Sequence, residues 1–577
     1  SFDTAPPSLG RPSILAAGDY GARPMGPADV DDASSPVPAT VDGGTVAERS
    51  WWGRLRSDRA AAWVFGAYLV VAFPLLLFVL GGDRWFLRDD WTFLSTRTLT
   101  DGGQLLDDHY GHWTTLPIIA FRLMWLAVGA RSYLPYEAMV IVVHLVTCGL
   151  LRMVMRRSGV GAWIATATAA TFVLFGAGEQ NITWAFQITM GGSVAFGLAA
   201  LLVLDHDGRP SWRDAGGLAL GAASLMCSGI GPLMVVGIST GLLVRRGWRR
   251  AALTAVPLAA LYGLWHLTVQ PEVSQFDRPD STVVVDWVRS GTSGVFQALV
   301  GDHLVLALLL AAGTVAGLVL AVVDRSPDPG WRTVGVPVGL LVVLPLLFAS
   351  ASLRGWIFGD QMAAASRYLH VAAAALLPAI ALAADALARR PAAAGVALLV
   401  PLAVGVPSNV DAFNSSVFGP AYFDQSQVVI LGAVASPAAE DVPSWVQPDL
   451  DPTNGGGVTM GWLLQSKDEG RIPDPPPMDD LTAASATLRI AFTQPPGDEP
   501  LADCERVPGP LVLDLEAGDR IQLLTQAQAT MLDGDEAISA PIALKPQGSG
   551  TFVVTVPSLR VRLVAVNAFA PALACLP

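Results

Sequence analysis

Long uncharged apolar runs, separated by short polar segments, dominate residues 60–407. A helical run of about 17–25 apolar residues matches the ~30 Å hydrocarbon core of a bilayer. The pattern predicts eleven spans, at about residues 60–81, 136–155, 160–178, 188–204, 215–229, 230–244, 251–269, 302–323, 332–350, 367–388 and 391–407. A further apolar stretch, Leu116–Val128, is short and contains Arg122, so we predict a helix lying in the membrane interface.

Arginines orient these spans. Arg54, Arg56 and Arg59 precede the first run, which places the N-terminus in the cytoplasm by the positive-inside rule. Eleven passes then place the C-terminal segment outside the cell, with residues 83–135 as a long first outer loop. We also predict an outer loop at about 270–300, long enough to close over a substrate.

Composition agrees with a polytopic α-helical protein of the plasma membrane. The chain is 52% hydrophobic and 15% charged, with a mean hydropathy of +0.47. Soluble domains carry about 25% charged residues. Residues 1–53 are rich in Pro, Gly, Ala, Ser and Asp without an apolar period, so we predict a disordered cytoplasmic tail before a transmembrane domain at 54–407. No basic cluster with interleaved aromatic residues indicates nucleic-acid binding.

The C-terminal segment, 408–577, has a different character. It holds eight Lys and Arg against 21 Asp and Glu, and so accounts for the whole formal charge of −13. Its first half is loop-like. Its second half has short alternating runs typical of an antiparallel β-sandwich, at Leu511–Leu515, Arg520–Leu524, Thr551–Val556 and Leu559–Val566. If this segment is extracytoplasmic, Cys504 and Cys575 can form a disulfide.

The candidate chemistry begins with an acidic pair, Asp89 and Asp90, directly after the first span and next to Arg88. A carboxylate at the membrane surface can act as the general base for a sugar hydroxyl, while the second substrate stays in the bilayer. Arginine suits a phosphate because its guanidinium presents a bidentate fork. The alternative is that one of the two aspartates caps the next helix.

Two histidines follow in the same loop. His109 and His112 lie three residues apart and on a helix could share a metal, but Gly111 between them argues against a helix. The alternative is interfacial hydrogen bonding. We predict no certain cofactor; a divalent cation, if used, is expected near Asp89, Asp90 and His109. Glu179, on the second outer loop between the third and fourth passes, could join the same site.

A last set of candidates precedes and opens the tenth pass: Arg354, Arg367 and Tyr368. Arg367 at the outer surface runs against the positive-inside trend. It either snorkels to the interface or binds a lipid phosphate.

In the order of these parts the chain resembles the GT-C superfamily of integral membrane glycosyltransferases, over about residues 60–205 and 354–388. The resemblance is carried by Asp89-Asp90 after the first span, by His109-Tyr110-Gly111, by Leu116-Pro117 opening an interfacial helix, and by Arg367-Tyr368 opening a late span. It departs from the aminoarabinose transferases, which carry Lys-Pro-Pro before the interfacial helix, where this chain has Thr114-Thr115-Leu116-Pro117 and no lysine.

The resemblance implies a polyprenyl-phosphate sugar donor, with Asp89 or Asp90 as the catalytic base, Glu179 as a second acidic residue and Arg367 at the donor phosphate. The Arg- and Ala-rich composition is typical of actinobacteria, in which arabinofuranose or mannose are the expected sugars and an envelope glycan or glycolipid the expected acceptor. The alternatives are a transporter of lipid-linked sugars and a non-catalytic envelope scaffold. Transport is the weaker hypothesis because the spans are nearly free of charge at their centres.

Overall fold

A computed structural model describes most of the chain after its N-terminal segment. The described ranges are 58–82, 84–271, 278–324, 329–414, 420–448, 457–475, 477–494, 500–502, 504–546, 548–567 and 573–576. The predicted disordered tail at 1–53 lies outside them, as do Arg54 and Arg56.

Twenty helices make up most of the described residues. They are α1 (Asp58–Leu80), α2 (Asp89–Ser95), α3 (Gly102–Leu106), α4 (Thr115–Val128), α5 (Leu134–Arg157), α6 (Ala162–Val173), α7 (Gln180–Thr183), α8 (Ile188–Leu204), α9 (Trp212–Leu225), α10 (Ile230–Arg246), α11 (Trp248–Val269), α12 (Ser281–Leu299), α13 (Leu304–Val323), α14 (Gly335–Leu341), α15 (Val343–Gly355), α16 (Ser366–Ala388), α17 (Ala392–Ala412), α18 (Pro420–Ala435), α19 (Met460–Asp468) and α20 (Asp480–Ile490).

Within the described ranges, eight helical segments are long and apolar enough to cross a membrane, so the chain is a multi-pass membrane protein. They are α1, α5, α8 with its preceding turn, α11, α13, the pair α14 and α15, α16, and α17. The other three predicted spans coincide with the shorter helices α6, α9 and α10. The predicted interfacial stretch forms α4, a helix of 14 residues.

The predicted outer loop at 270–300 is wrong, because α12 occupies Ser281–Leu299. This helix is amphipathic. Trp287, Gly291 and Val295 recur every four residues on its buried face, and a Cβ at Gly291 would collide with the ring of Phe348. The polar residues between them interrupt the apolar run, which is why a hydropathy criterion alone missed the helix.

Ion pairs define one end of the helical region, which we call the arginine end. Arg157, at the end of α5, pairs with Asp205, at the end of α8. Arg390 pairs with Asp324, and Asp385 accepts from the Gly161 amide. The first outer loop lies at the opposite end of α5, which at 1.5 Å per residue is about 36 Å away.

The C-terminal segment contains two antiparallel sheets of five strands each. The strands after the first outer loop are β3 (Phe492–Thr493), β4 (Glu505–Val507), β5 (Leu511–Glu516), β6 (Arg520–Leu523), β7 (Ala527–Asp533), β8 (Glu536–Ala537), β9 (Ile542–Leu544), β10 (Thr551–Val554), β11 (Ser558–Ala565) and β12 (Ala574–Leu576). One sheet has the order β3-β10-β6-β12-β4, and the other has the order β5-β11-β7-β8 with β9 also on β7. Cys504 and Cys575 are joined by a disulfide.

Two details of this segment differ from the sequence interpretation. Its first half is not loop-like, since it contains α18, α19 and α20. The predicted boundary at 407 falls inside α17, which continues to Ala412. Short helices with few apolar residues give a weak sequence signal, and Pro407 suggested an end that the helix does not have.

The C-terminal segment packs directly on the first outer loop. One apolar cluster contains Trp91 and Phe121 of the loop together with Leu463 and Phe552. The rings of Trp125 and Trp462 stack with centroids 5.1 Å apart. The amide of Ala130 donates to the carbonyl of Arg471 at 2.7 Å. This segment therefore lies at the same end of the helices as the first outer loop.

Helices α10 and α14 approach each other backbone to backbone through glycines spaced four residues apart. They are Gly237 and Gly241 on α10, and Gly335 and Gly339 on α14. A Cβ at Gly339 would lie 2.4 Å from the Gly237 carbonyl oxygen and 2.4 Å from the Gly241 nitrogen. Small residues at such spacing allow close helix packing inside membranes.

We therefore expect Gly339→Ala to lower the free energy of unfolding by about 1–3 kcal/mol, because the clashing atoms are backbone and cannot rotate away. Gly263→Ala on α11 is the control, since its added Cβ meets no atom within 4 Å. Thermal unfolding in detergent measures both. Equal midpoints for the two variants would show that α10 and α14 do not need this contact.

Candidate functional site

A cavity of about 1070 Å³ opens beside the second outer loop, between α12 and the start of α16. Its charged and polar lining residues are Arg88, Glu179, Gln180, Asp286, Arg289, Ser290, Ser293, Gln297, Asp302, Asp360, Ser366 and Arg367. Four of these residues are acidic and three are arginines, so the lining suits a polar ligand. The polar face of α12 supplies five of these residues, all from the segment that the sequence pattern predicted to be an outer loop closing over a substrate.

Asp90 is a buried hydrogen-bonding node and does not contact solvent (0% exposed). Its Oδ2 accepts from the Leu87 amide at 3.0 Å, from Trp184 Nε1 at 3.1 Å and from the Tyr133 hydroxyl at 3.4 Å. Burial raises the pKa of the Asp90 carboxyl to about 8. Asp90 therefore ties the first outer loop to the start of α5 and to the second outer loop.

Asp89 has different surroundings. Its Oδ1 lies 2.8 Å from Nε2 of His109, and about a fifth of its side chain remains exposed. The neighbouring Arg88 lines the cavity and donates to the Tyr422 hydroxyl at 3.3 Å. Arg88 also has a φ of 48°, a backbone conformation that costs energy in a non-glycine residue. Asp89 is thus the more exposed member of the acidic pair, although it is not among the residues that line the cavity.

The histidines lie on a two-stranded hairpin, β1 (Asp108–His109) and β2 (His112–Trp113), with Tyr110 and Gly111 at positive φ in its turn. His109 contacts Asp89, whereas Nε2 of His112 accepts from Arg354 at 2.9 Å. Burial, with the nearby positive charge of Arg354, lowers the pKa of His112 to about 3. Arg354 also donates to the Tyr110 carbonyl at 2.6 Å, so it holds the hairpin.

The two histidines therefore serve different partners. Among the described residues, no group of three or more His, Cys, Asp and Glu side chains is arranged to hold a metal ion. Asp89, Asp90 and His109 do not meet as a ligand set because Asp90 is already turned inward to Trp184 and Tyr133. The residues present do not fit a divalent cation there.

The first turn of α16 borders the cavity with Ser366 and Arg367. Two hydrogen bonds join the second outer loop to this turn. The backbone amide of Gln180 donates to Ser366 Oγ at 3.1 Å, and Asn181 Nδ2 donates to the backbone carbonyl of Arg367 at 3.0 Å. The Arg367 guanidinium lies 5.1 Å from the ring centroid of Tyr368. A helix N-terminus beside an arginine is a ready site for a phosphate.

Glu179 lies in the same loop, is buried and lines the cavity. Asn409 of α17 holds this loop from the other side. Its Oδ1 accepts from the Ala177 amide at 3.0 Å, and its Nδ2 donates to the Ala298 carbonyl at 2.9 Å. Sequence reasoning missed Asn409, because the predicted last span ended at residue 407 whereas α17 continues to Ala412.

No protein-family model matches the sequence, and no curated protein matches it. Two crystal structures of ArnT from Cupriavidus metallidurans resemble the chain. The apo form is 15% identical with a TM-score of 0.42, and the form bound to undecaprenyl phosphate is 17% identical with a TM-score of 0.43. Each alignment covers 72% of this chain and 90% of the ArnT chain. With both TM-scores below 0.5, no functional inference is drawn from the likeness.

The environment of Asp90 gives a pH-dependent stability. Its folded pKa of about 8 exceeds the unfolded value of about 3.9, so folding favours the protonated form. The contribution of protonated Asp90 to the free energy of unfolding is complete below about pH 4. It falls by about 1 kcal/mol per pH unit as the pH rises, and is lost as the pH passes through 8. Asp90→Asn keeps a neutral side chain of the same shape.

We expect Asp90→Asn to flatten the fall in the thermal unfolding midpoint between pH 5 and pH 8. Glu440→Gln, which changes an exposed carboxylate, should keep the slope of the unmodified protein. If the Asn variant unfolds with an unchanged slope, Asp90 is ionised in the folded protein.

Proposed function

We propose that this protein is a GT-C-type glycosyltransferase that transfers a sugar from a polyprenyl-phosphate donor to a cell-envelope glycan or glycolipid. The observation that carries the proposal is the polar cavity at one end of the membrane-spanning helices, where acidic groups lie close to an arginine on a helix N-terminus. In this proposal the cavity end faces outward, and the arginine end faces the cytoplasm, as the positive-inside rule requires. Arabinofuranose and mannose are the sugars we would test first.

Asp89 is the proposed general base. Its carboxylate takes the proton of the acceptor hydroxyl, whose oxygen then bonds to the anomeric carbon with inversion. The bond between that carbon and the phosphate oxygen breaks, and its electron pair leaves with the polyprenyl phosphate. The contact with His109 orients the Asp89 carboxylate during the proton transfer.

Arg367 and the amide groups opening α16 are proposed to hold the phosphate. Negative charge on the leaving oxygens increases as the sugar departs, so a fixed cation and a helix dipole stabilise the transition state more than the ground state. This arrangement needs no metal step. Glu179 and the polar face of α12 would hold the hydroxyl groups of the sugar or the acceptor.

The base assignment is tested by Asp89→Asn. We expect a 10²–10⁴-fold loss of turnover, the usual contribution of a general base. The measurement is release of polyprenyl phosphate from a radiolabelled lipid-linked sugar in the presence of an acceptor glycan. Asp90→Asn is the matched control and should keep turnover within about tenfold, because its role is to hold the loop.

Two results would contradict this assignment. Full activity of the Asp89 variant would remove the residue from the mechanism. Loss of activity in Glu179→Gln together with an active Asp89→Asn would move the base to the second outer loop, since Glu179 lines the cavity directly.

The phosphate assignment is tested by Arg367→Gln. Loss of charge-assisted hydrogen bonds should weaken binding of decaprenyl phosphate by about 10–100-fold. Arg131→Gln, an exposed arginine of the first outer loop, is the control and should bind as the unmodified protein does. Binding is followed by thermal stabilisation in detergent. Unchanged binding by the Arg367 variant would exclude this phosphate site.

A further inference from the structure

A second cavity, of about 340 Å³, lies at the arginine end. It is lined by His206, Asp207, Arg245, Arg246, Arg250, Arg332 and Thr333. This volume lies within the range of about 300–1,000 Å³ typical of ligand pockets. The proposed glycosyl transfer does not use this cavity, because the lengths of α5 and α8 separate the arginine end from the first outer loop.

The close packing of α10 on α14 builds this cavity. Gly241 precedes Arg245 and Arg246 by about one helical turn, and Gly335 follows Arg332 by three residues. A Cβ at Gly335 would lie 3.0 Å from the Gly241 carbonyl oxygen, so the backbones of the two helices nearly touch. The arginines that flank this crossing are therefore brought together despite their mutual repulsion.

Among the described residues, arginines outnumber aspartates at this cavity. Asp205 is almost fully buried and receives three arginines, Arg157 at 3.3 Å, Arg245 at 3.0 Å and Arg246 at 2.7 Å. Asp207 pairs with Arg246, and Asp214 pairs with Arg250. With Arg332 included, the described part of the chain brings five arginines and three aspartates together here.

One guanidinium nitrogen of Arg245 also lacks a hydrogen-bond acceptor among the described residues. Arg245 forms an ion pair with Asp205 through Nε and donates to the Arg157 carbonyl through Nη2 at 3.2 Å. Its Nη1 is buried and has no hydrogen-bond partner within the described part of the chain. A buried donor without an acceptor is unfavourable, so this corner of the arginine cluster is held together at a cost.

We infer that this cavity binds the phosphodiester headgroup of an anionic phospholipid in the leaflet at the arginine end. The location favours a lipid as the source of the phosphate. Trp248 begins α11 next to the cavity and is 68% exposed, as is typical of tryptophans at the headgroup level. Basic pockets between membrane helices are suited to such headgroups.

The test compares phosphatidylglycerol with phosphatidylcholine, added to delipidated protein in detergent, by thermal unfolding and native mass spectrometry. We expect phosphatidylglycerol alone to raise the unfolding midpoint. Arg332→Gln should weaken its binding about five- to tenfold. The side chain of Arg332 is exposed, so this variant should fold; Arg245→Gln should act in the same direction but also loses a contact to Asp205.

Arg249→Gln is the matched control. Arg249 lies in the first turn of α11 next to Arg250, but its guanidinium lies over the ring of Trp248 and it does not line the cavity. It should bind phosphatidylglycerol normally. Equal binding by Arg332→Gln and the unmodified protein would overturn the inference. So would an equal rise in the midpoint with inorganic phosphate alone, which would identify a free anion as the ligand. Neither readout depends on glycosyl transfer.

Discussion

The hydrogen bonds converging on the buried Asp90 carboxyl hold together the elements from which the candidate site is built. Through its Oδ2, Asp90 connects the turn before α2 with Trp184 and Tyr133. The Tyr133 hydroxyl in turn accepts from the Ala185 amide at 2.8 Å. The second outer loop fixed in this way then binds the first turn of α16. A continuous set of contacts thus sets the position of Asp89 relative to Arg367.

The membrane imposes the second constraint, which is the separation of polar groups to the two ends of the helices. Two histidines inside spans contact each other. His144 of α5 lies 3.0 Å from His370 of α16, and its other ring nitrogen lies 3.1 Å from the Val173 carbonyl. This contact packs α5 against α16 about one helical turn after Ser366 and Arg367, which border the cavity.

Sequence patterns predicted the parts of the fold that depend on one property at a time. Uninterrupted apolar length identified the spans, and alternation identified β5, β6, β10 and β11. The helix α12 was missed because its signal combines two properties, a buried face at Trp287 and Gly291 and a polar face at Asp286 and Ser290. The residues of the first outer loop were found, but not their partners, since contacts such as His112 with Arg354 depend on tertiary packing.

The sequence likewise could not distinguish Asp89 from Asp90, because the difference between them is their burial in the folded protein. Two adjacent ionised carboxylates repel each other, so a site with both charged would be unfavourable. Burial removes this conflict by holding Asp90 neutral at pH 7, with a pKa of about 8. Asp89 stays partly exposed beside His109, with no neighbouring negative charge from Asp90. Asp90 can then act as a neutral hydrogen-bonding node that holds the first outer loop against Trp184 and Tyr133.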